Sequence, residues 1–256
     1  MGRLRGAFVA VLAAACLLVA APPANAAPEF STNWSGYGLE AGRGQAITAV
    51  SGSWIVPSIK VTPPGFSSSW IGIGGYRTAD LIQVGTASSG MLEGSYAWFE
   101  MLPANEERIT SGCTGDSKCT VSQGDRMVGQ VMNTSGSAWS VSLANYGKGA
   151  TPKWTWSRIV TYNSSRSSVE LVFEAPRVIS PVGGMQTLPA HAPHAKFLGG
   201  ATYVVNGVTK AFAGSGASRV IMVDPAIGLY RTATPSLMAS DGHFQVCAYQ
   251  STCPNF

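Results

Sequence analysis

Trp139-Ser140-Val141-Ser142-Leu143-Ala144-Asn145 alternates apolar and small polar residues. Strand side chains point to opposite faces in turn, so Trp139, Val141 and Leu143 share one face and Ser140 and Ser142 the other, which predicts a half-buried β-strand. Segments of alternating or β-branched character recur on both sides. Upstream lie Ile47 to Val56, Ser69 to Ile73, Leu81 to Gly85, Tyr96 to Leu102 and Arg126 to Met132. Downstream lie Trp154 to Tyr162, Val169 to Glu174, Thr202 to Val205 and Val220 to Val223. Gly, Pro, Asn and Ser separate them, and Asn206-Gly207 is the dipeptide that a two-residue hairpin favours. Long helical periodicity is absent. The pattern predicts an all-β chain folded as an antiparallel β-sandwich.

The chain has 256 residues, with no internal repeat, long linker or block of like charge. Nine Phe, seven Trp and eight Tyr, against 12% charged residues, supply ample core material and exclude a disordered chain. A net charge of +4 without a basic cluster gives a nucleic-acid partner no support.

Residues 1–26 have the organisation of an export signal: Arg3 and Arg5, an apolar run from Ala7 to Ala21, and the small-x-small site Ala24-Asn25-Ala26. Cleavage after Ala26 would leave a single secreted domain, 27–256. The apolar run is shorter than the ~20 residues a membrane span needs, and no later stretch is long and apolar enough. No membrane association is expected after cleavage. Cys16 raises a lipoprotein alternative, but Ala13 stands where a lipobox prefers Leu. Signal removal leaves Cys113, Cys119, Cys247 and Cys253, an even count in an exported chain. Their two C-x5-C spacings predict the disulfides 113–119 and 247–253, each contributing roughly 2–2.5 kcal/mol by loop closure. The rival is a four-cysteine zinc site, for which the usual spacing is C-x2-C to C-x4-C.

Several segments carry a resemblance when read in order. Asn33-Trp34-Ser35-Gly36 is followed by Val50-Ser51-Gly52-Ser53-Trp54-Ile55-Val56-Pro57, then by Trp70-Ile71-Gly72-Ile73-Gly74-Gly75 and Leu81-Ile82-Gln83-Val84-Gly85. Tyr96-Ala97-Trp98-Phe99-Glu100-Met101-Leu102-Pro103 and Val169-Glu170-Leu171-Val172-Phe173-Glu174-Ala175-Pro176 complete the set. From about Thr32 to the C-terminus the chain resembles the glutamic peptidases, or eqolisins, in a bacterial-type form with no long pro-segment encoded. The resemblance implies a concanavalin-like sandwich of two large sheets and an acid-acting endopeptidase with a Gln–Glu dyad and no cofactor. The family's Gln maps onto Gln83 and its catalytic Glu onto Glu174, with Glu170 as the first Glu of the same strand. The supporting Trp and Glu map onto Trp98 and Glu100, and Trp34, Trp70, Gly75 and Gly85 are the further candidates for lining the site. Fungal members carry acidic residues where this chain has Gly74 and Ala87, a Trp at Leu171 and a Phe at Pro176.

The residue chemistry is compatible with that role. Glu170 and Glu174 share a face but stand roughly 13 Å apart along a strand, so Glu174 needs a partner from another strand. Gln83 is that candidate. A carboxylate that takes a proton from water and returns it to the leaving amine contributes roughly 10²–10⁴-fold. An amide NH₂ aimed at the tetrahedral oxyanion is worth roughly 10²–10³-fold. Water attacks directly, so no acyl-enzyme forms. A lone carboxylate base would stay ionised at neutral pH, so acid activity requires a second, protonated carboxyl. Glu100 is suited to it, with an optimum near about pH 3–5.

Other readings stay open at this point. Glu170 could be the catalytic carboxyl, and Glu100 could be an outward-facing charge. A non-catalytic sandwich could bind glycans or cell-wall material through its Trp-rich face, and a jelly-roll glycosidase could pair Glu100 with Glu174. No G-x-S-x-G elbow is present. His191 and His194 form H-x2-H in a loop without an evident third ligand, so no metal is expected. Asn33-Trp34-Ser35 matches a glycosylation sequon, as do the triplets at Asn133 and Asn163. Polypeptide substrates and a monomeric state complete the expectation; cleavage preference and biological substrate are not legible.

Overall fold

A computed structural model describes residues 27–60, 65–89, 94–180, 183–186 and 194–256, with 177–180 and 183–186 as backbone only. The expected signal segment, Cys16 and His191 lie outside the described residues. The first strands are β1 (Glu29–Ser31), β2 (Trp34–Glu40), β3 (Ile47–Ile55), β4 (Phe66–Gly74), β5 (Leu81–Ser89), β6 (Gly94–Met101) and β7 (Glu107–Arg108). Next come β8 (Arg126–Ser135), β9 (Ala138–Gly147), β10 (Trp154–Thr161), β11 (Ser168–Glu174), β12 (Arg177–Ser180) and β13 (Gly183–Gln186). The last are β14 (Ala195–Phe197), β15 (Thr202–Val205), β16 (Val208–Ala211), β17 (Ser218–Asp224), β18 (Tyr230–Pro235) and β19 (Phe244–Ala248). The sole helical element among the described residues is a 3₁₀ turn at Pro225–Ile227. No helix there is long and apolar enough to cross a membrane.

One layer runs β17–β2–β11–β4–β5–β6–β7, and the other runs β10–β9–β8–β3–β15–β16. Strands β14, β18 and β19 link them, because β14 pairs with β3 and β19, and β18 pairs with β19 and β17. Pairing is antiparallel throughout, except that β1 lies parallel to β17. The expected hairpin forms: β15 and β16 pair around Asn206 at φ 49° and Gly207 at φ 78°, the left-handed pair that a tight right-twisted turn requires.

The main core lies between the layers. Ile71, Ile73, Ile82, Val84, Phe99, Leu171 and Phe173 come from one; Val50, Trp54, Met127, Val131, Val141, Leu143 and Trp154 come from the other. Trp139, Val141 and Leu143 face inward as their alternation predicts. Both expected disulfides are present, Cys113–Cys119 and Cys247–Cys253. His194 Nδ1 lies 3.4 Å from the Cys247 sulfur, but the bridge withholds both thiolates from any metal.

The remaining fact of the fold positions the site. Since Ile71, Ile82, Phe99 and Leu171 point into the core, the residues next to them on β4, β5, β6 and β11 must point out of it. That outer face is not an ordinary solvated one. It carries a second apolar cluster of Trp70, Leu81, Ala87, Trp98 and Val172, with Trp34, Tyr96 and Leu102 packed around it.

Candidate active site

Strand register arranges the outer face in three rows. The first runs Gly38–Glu170–Gly72–Gln83–Glu100 across β2, β11, β4, β5 and β6. The second runs Gly36–Val172–Trp70–Gly85–Trp98 and the third Trp34–Glu174–Ser68–Ala87–Tyr96. Residues from five strands scattered over the sequence thus share one surface. Gln83 and Glu100 are direct cross-strand partners, and the Gln83 Nε2 donates to Glu100 Oε2 at 2.6 Å. Glu174 stands two rows away, with Val172, Trp70, Gly85 and Trp98 between.

Glu174 is held by donors on both oxygens. Asn33 Nδ2 donates to Oε1 at 3.0 Å, and Trp70 Nε1 donates to Oε2 at 2.7 Å. Trp34 stacks edge-on against Trp70, ring centroids 4.9 Å apart, and its indole also favours the Glu174 carboxylate. Burial still dominates, and it pushes the Glu174 carboxyl up to about 7. Glu100 is pushed up to about 7 as well, first by burial and then by the charge of Glu174, while the bond from Gln83 pulls it down. The Glu106 charge raises both. Ionisation of Glu174 disfavours that of Glu100.

Glycine at position 85 is required by close approach. A Cβ there would stand 2.6 Å from Trp70 Cβ, 2.7 Å from the Ser69 carbonyl and 2.9 Å from Trp98 Cζ2. Its absence lets the two indoles close over the strand and leaves a low floor between Gln83 and Glu174. Gly75 has another place: it lies in the turn after β4 at φ 95°, with three Leu81 side-chain atoms 3.2 Å from its Cβ position, and it supports one end of the face. Gly74 sits at φ 86° with the Asp80 carbonyl 2.7 Å from its Cβ position, so no acidic side chain fits that backbone. Ala87 is buried in the outer cluster and Leu171 in the main core.

Glu170 is brought to the same face and left in a different state. It is fully buried, and neither oxygen has a hydrogen-bond partner among the described residues. Burial holds its carboxyl well above the usual range. The Tyr76 ring lies over neighbouring Gly38, whose Cβ position is 2.7 Å from it, so the β4–β5 turn lids this end.

Sequence reasoning missed Asn33 as a site residue. It read as a sequon, yet its side-chain amide is bonded to Glu174 and unlike that of a free glycan acceptor. Its position directly before Trp34 in the first quoted segment was the available signal. It also missed the flank at Tyr96, where the hydroxyl donates to Glu106 at 2.9 Å and the Arg108 guanidinium lies 3.9 Å over the ring.

Comparison with known proteins gives the family and the fold. Residues 32–216 match the Peptidase A4 family. A crystal structure of scytalido-glutamic peptidase with a transition state analog inhibitor superposes with a TM-score of 0.66 at 19% identity, covering 85% of this chain and 98% of that one. SCP-B, a member of the eqolisin family in complex with the tripeptide Ala-Ile-His, gives 0.65 at 19% identity over 85% and 98%. Aspergilloglutamic peptidase from Aspergillus niger gives 0.55 at 19% identity over 72% and 99%. A search of curated proteins returned no match.

Proposed function

Because this chain belongs to the Peptidase A4 family, the glutamic peptidases or eqolisins, we propose that its outer face is the active site and that Glu174 and Gln83 perform the hydrolysis. The observation that carries the reading is the shared face itself: a carboxylate oriented by two donors, and an amide anchored to a second carboxyl, lie on either side of the row that holds Gly85.

In this reading ionised Glu174 takes a proton from a water that attacks the substrate carbonyl. Gln83 Nε2 has two hydrogens. One is bonded to Glu100 and the other is available to the developing oxyanion, which the amide stabilises without titrating. Glu174, now protonated, returns the proton to the leaving amine. Glu100 sets the amide's orientation. When neutral it places no second negative charge beside the oxyanion, so activity is expected to fall as pH rises through neutrality. Both carboxyls are raised to about 7, which moves the expected optimum up from pH 3–5 to about pH 6–7, where Glu174 can ionise while Glu100 still holds its proton. The signal-like residues 1–26 and the two disulfides support export, and in this reading the enzyme is a secreted monomer acting on polypeptides.

The test is incubation of the purified chain with denatured protein from pH 2 to 8, with and without pepstatin. Pepstatin-resistant peptide release with a maximum on the acid side of neutrality is expected. Release of reducing sugar from polysaccharide with no peptide release would instead assign Glu100 and Glu174 to glycoside hydrolysis.

A further inference from the structure

Four deeply buried tryptophans each satisfy their indole N–H. Trp54 donates to Thr86 Oγ1 at 2.8 Å, Trp70 to Glu174 Oε2 at 2.7 Å, Trp139 to the Tyr162 carbonyl at 3.0 Å and Trp154 to the Thr120 carbonyl at 2.7 Å. Trp98 is 2% exposed and its Nε1 has no acceptor among the described residues. On the same face Gln83 Oε1 is buried and has no donor among them. Apart from the two Glu170 oxygens at the closed end of the face, one unmet donor and one unmet acceptor are thus left on the surface that holds Glu100 and Glu174. Buried polar groups are seldom left unpaired, because the folded chain then bears their desolvation without return.

The register makes these two groups neighbours. Gln83 pairs with Glu100 and Gly85 with Trp98, so Gln83 and Trp98 are diagonal partners on one face of an antiparallel pair. Aromatic and long side chains reach each other across that diagonal. Trp98 Cζ2, which adjoins the ring carbon bonded to Nε1, stands 2.9 Å from the Cβ position of Gly85, so the nitrogen-bearing side of the indole lies at the bare floor. In an extended polypeptide a residue's own N–H and C=O point to the same side, which makes it the natural complement of such a pair.

We propose that Trp98 Nε1 and Gln83 Oε1 clasp the backbone of one substrate residue, the indole donating to its carbonyl oxygen and the amide oxygen accepting from its N–H. This rests on the reading of the outer face as a peptide site. Gln83 then acts through both ends of its amide, the oxygen binding substrate while the nitrogen serves Glu100 and the oxyanion. The clasp also explains why a donor and an acceptor so deeply buried are left unmet by the chain itself.

The experiment uses the full chain with ¹⁵N-labelled tryptophan and the Glu174→Gln substitution, so that a bound peptide persists. The probe is an extended peptide free of Asn and Gln, which removes side-chain amides as the source of the effect. The Trp98 indole resonance, identified by its loss in Trp98→Phe, is expected to move downfield and to exchange more slowly when peptide is added. In the active chain Trp98→Phe is expected to lower kcat/KM about tenfold, mainly through KM, as loss of one substrate hydrogen bond would. Peptide binding that shifts other indoles and leaves that of Trp98 in place overturns the proposal, as does the absence of any indole shift at saturating peptide. A wild-type chain that cleaves nothing, while Trp98 still responds to peptide, would keep the clasp and overturn the hydrolytic assignment instead.

Discussion

Glu170 and Glu174 point from the same face of β11, four residues apart, and the fold treats them differently. The Glu170 end is closed. Glycines flank it at Gly38 and Gly72, the Tyr76 ring lies over Gly38, and neither carboxyl oxygen finds a donor among the described residues. The Glu174 end is supplied with donors from Asn33 and Trp70 and feels the charge of Glu106. Burial raises both groups, so a raised carboxyl by itself identifies neither as functional. The donors make the difference. They lower the cost of ionising Glu174, whereas Glu170 lacks such donors and burial holds it well above the usual range. The same strand therefore holds one carboxyl supplied with donors and one held mainly by burial.

The sharpest way to break this contrast is to remove each ionisation in turn. Glu174→Gln is expected to lower kcat by roughly 10²–10⁴ with the circular dichroism spectrum unchanged, since the amide cannot accept the proton of water. If Glu174→Gln retains activity and Glu170→Gln abolishes it, the roles of the two ends are exchanged. Next in size is Gln83→Ala, expected to cost roughly 10²–10³ in kcat. It also strips Glu100 of the bond that lowers its carboxyl, so the surviving activity should extend to higher pH. A pH–rate profile of the variant checks both parts.

Much of this contrast could be read from the sequence, and part could not. Alternation alone assigned opposite faces on β4, β5, β6 and β11, and with the family resemblance it put Gln83, Trp98, Glu100 and Glu174 forward together. Whether Glu100 faced the site or solvent was open; cross-strand register with Gln83 decides it, and register between strands is not a local property. The same reason hides the parallel pairing of β1 and the links through β14, β18 and β19, which join short segments far apart in the chain. Asn33 was masked by a second meaning, since Asn-Trp-Ser reads as a sequon until Glu174 is seen beside it. The burial of Glu170 depends on a turn and two glycines contributed by other strands, so no spacing within β11 could distinguish it from Glu174.

A smaller change sharpens the contrast at the Glu174 end. Trp70→Phe keeps a ring near Trp34 but removes the donor to Oε2, the strongest influence acting against burial. Glu174 should then ionise at higher pH, moving the acid limb of the profile upward. The loss in kcat should be about tenfold on the acid limb, below about pH 6, and shrink above about pH 7. An equal loss at every pH would mean that Trp70 matters only through packing.

The smallest effect tests the Glu170 end and is read in stability. A carboxyl whose value in the folded chain is raised above its ordinary one favours the fold in its protonated form. That contribution is fully present below the ordinary Glu value of about 4.5 and is lost as pH rises through the folded value. Glu100 and Glu174 act in the same direction up to about 7. The wild-type chain should therefore melt lower at pH 8 than at pH 5, by ~5–10 °C if the three together contribute on the order of 2–4 kcal/mol. Glu170→Gln is nearly isosteric with the neutral carboxyl and cannot ionise. It should match the wild type at pH 5, melt a few degrees above it at pH 8, and leave kcat within about twofold. Glu174→Gln should also flatten the melting profile, but with the loss of activity described above. A Glu170→Gln chain that melts like the wild type at every pH would show that Glu170 ionises freely in the fold, and the distinction between the two ends of β11 would fall.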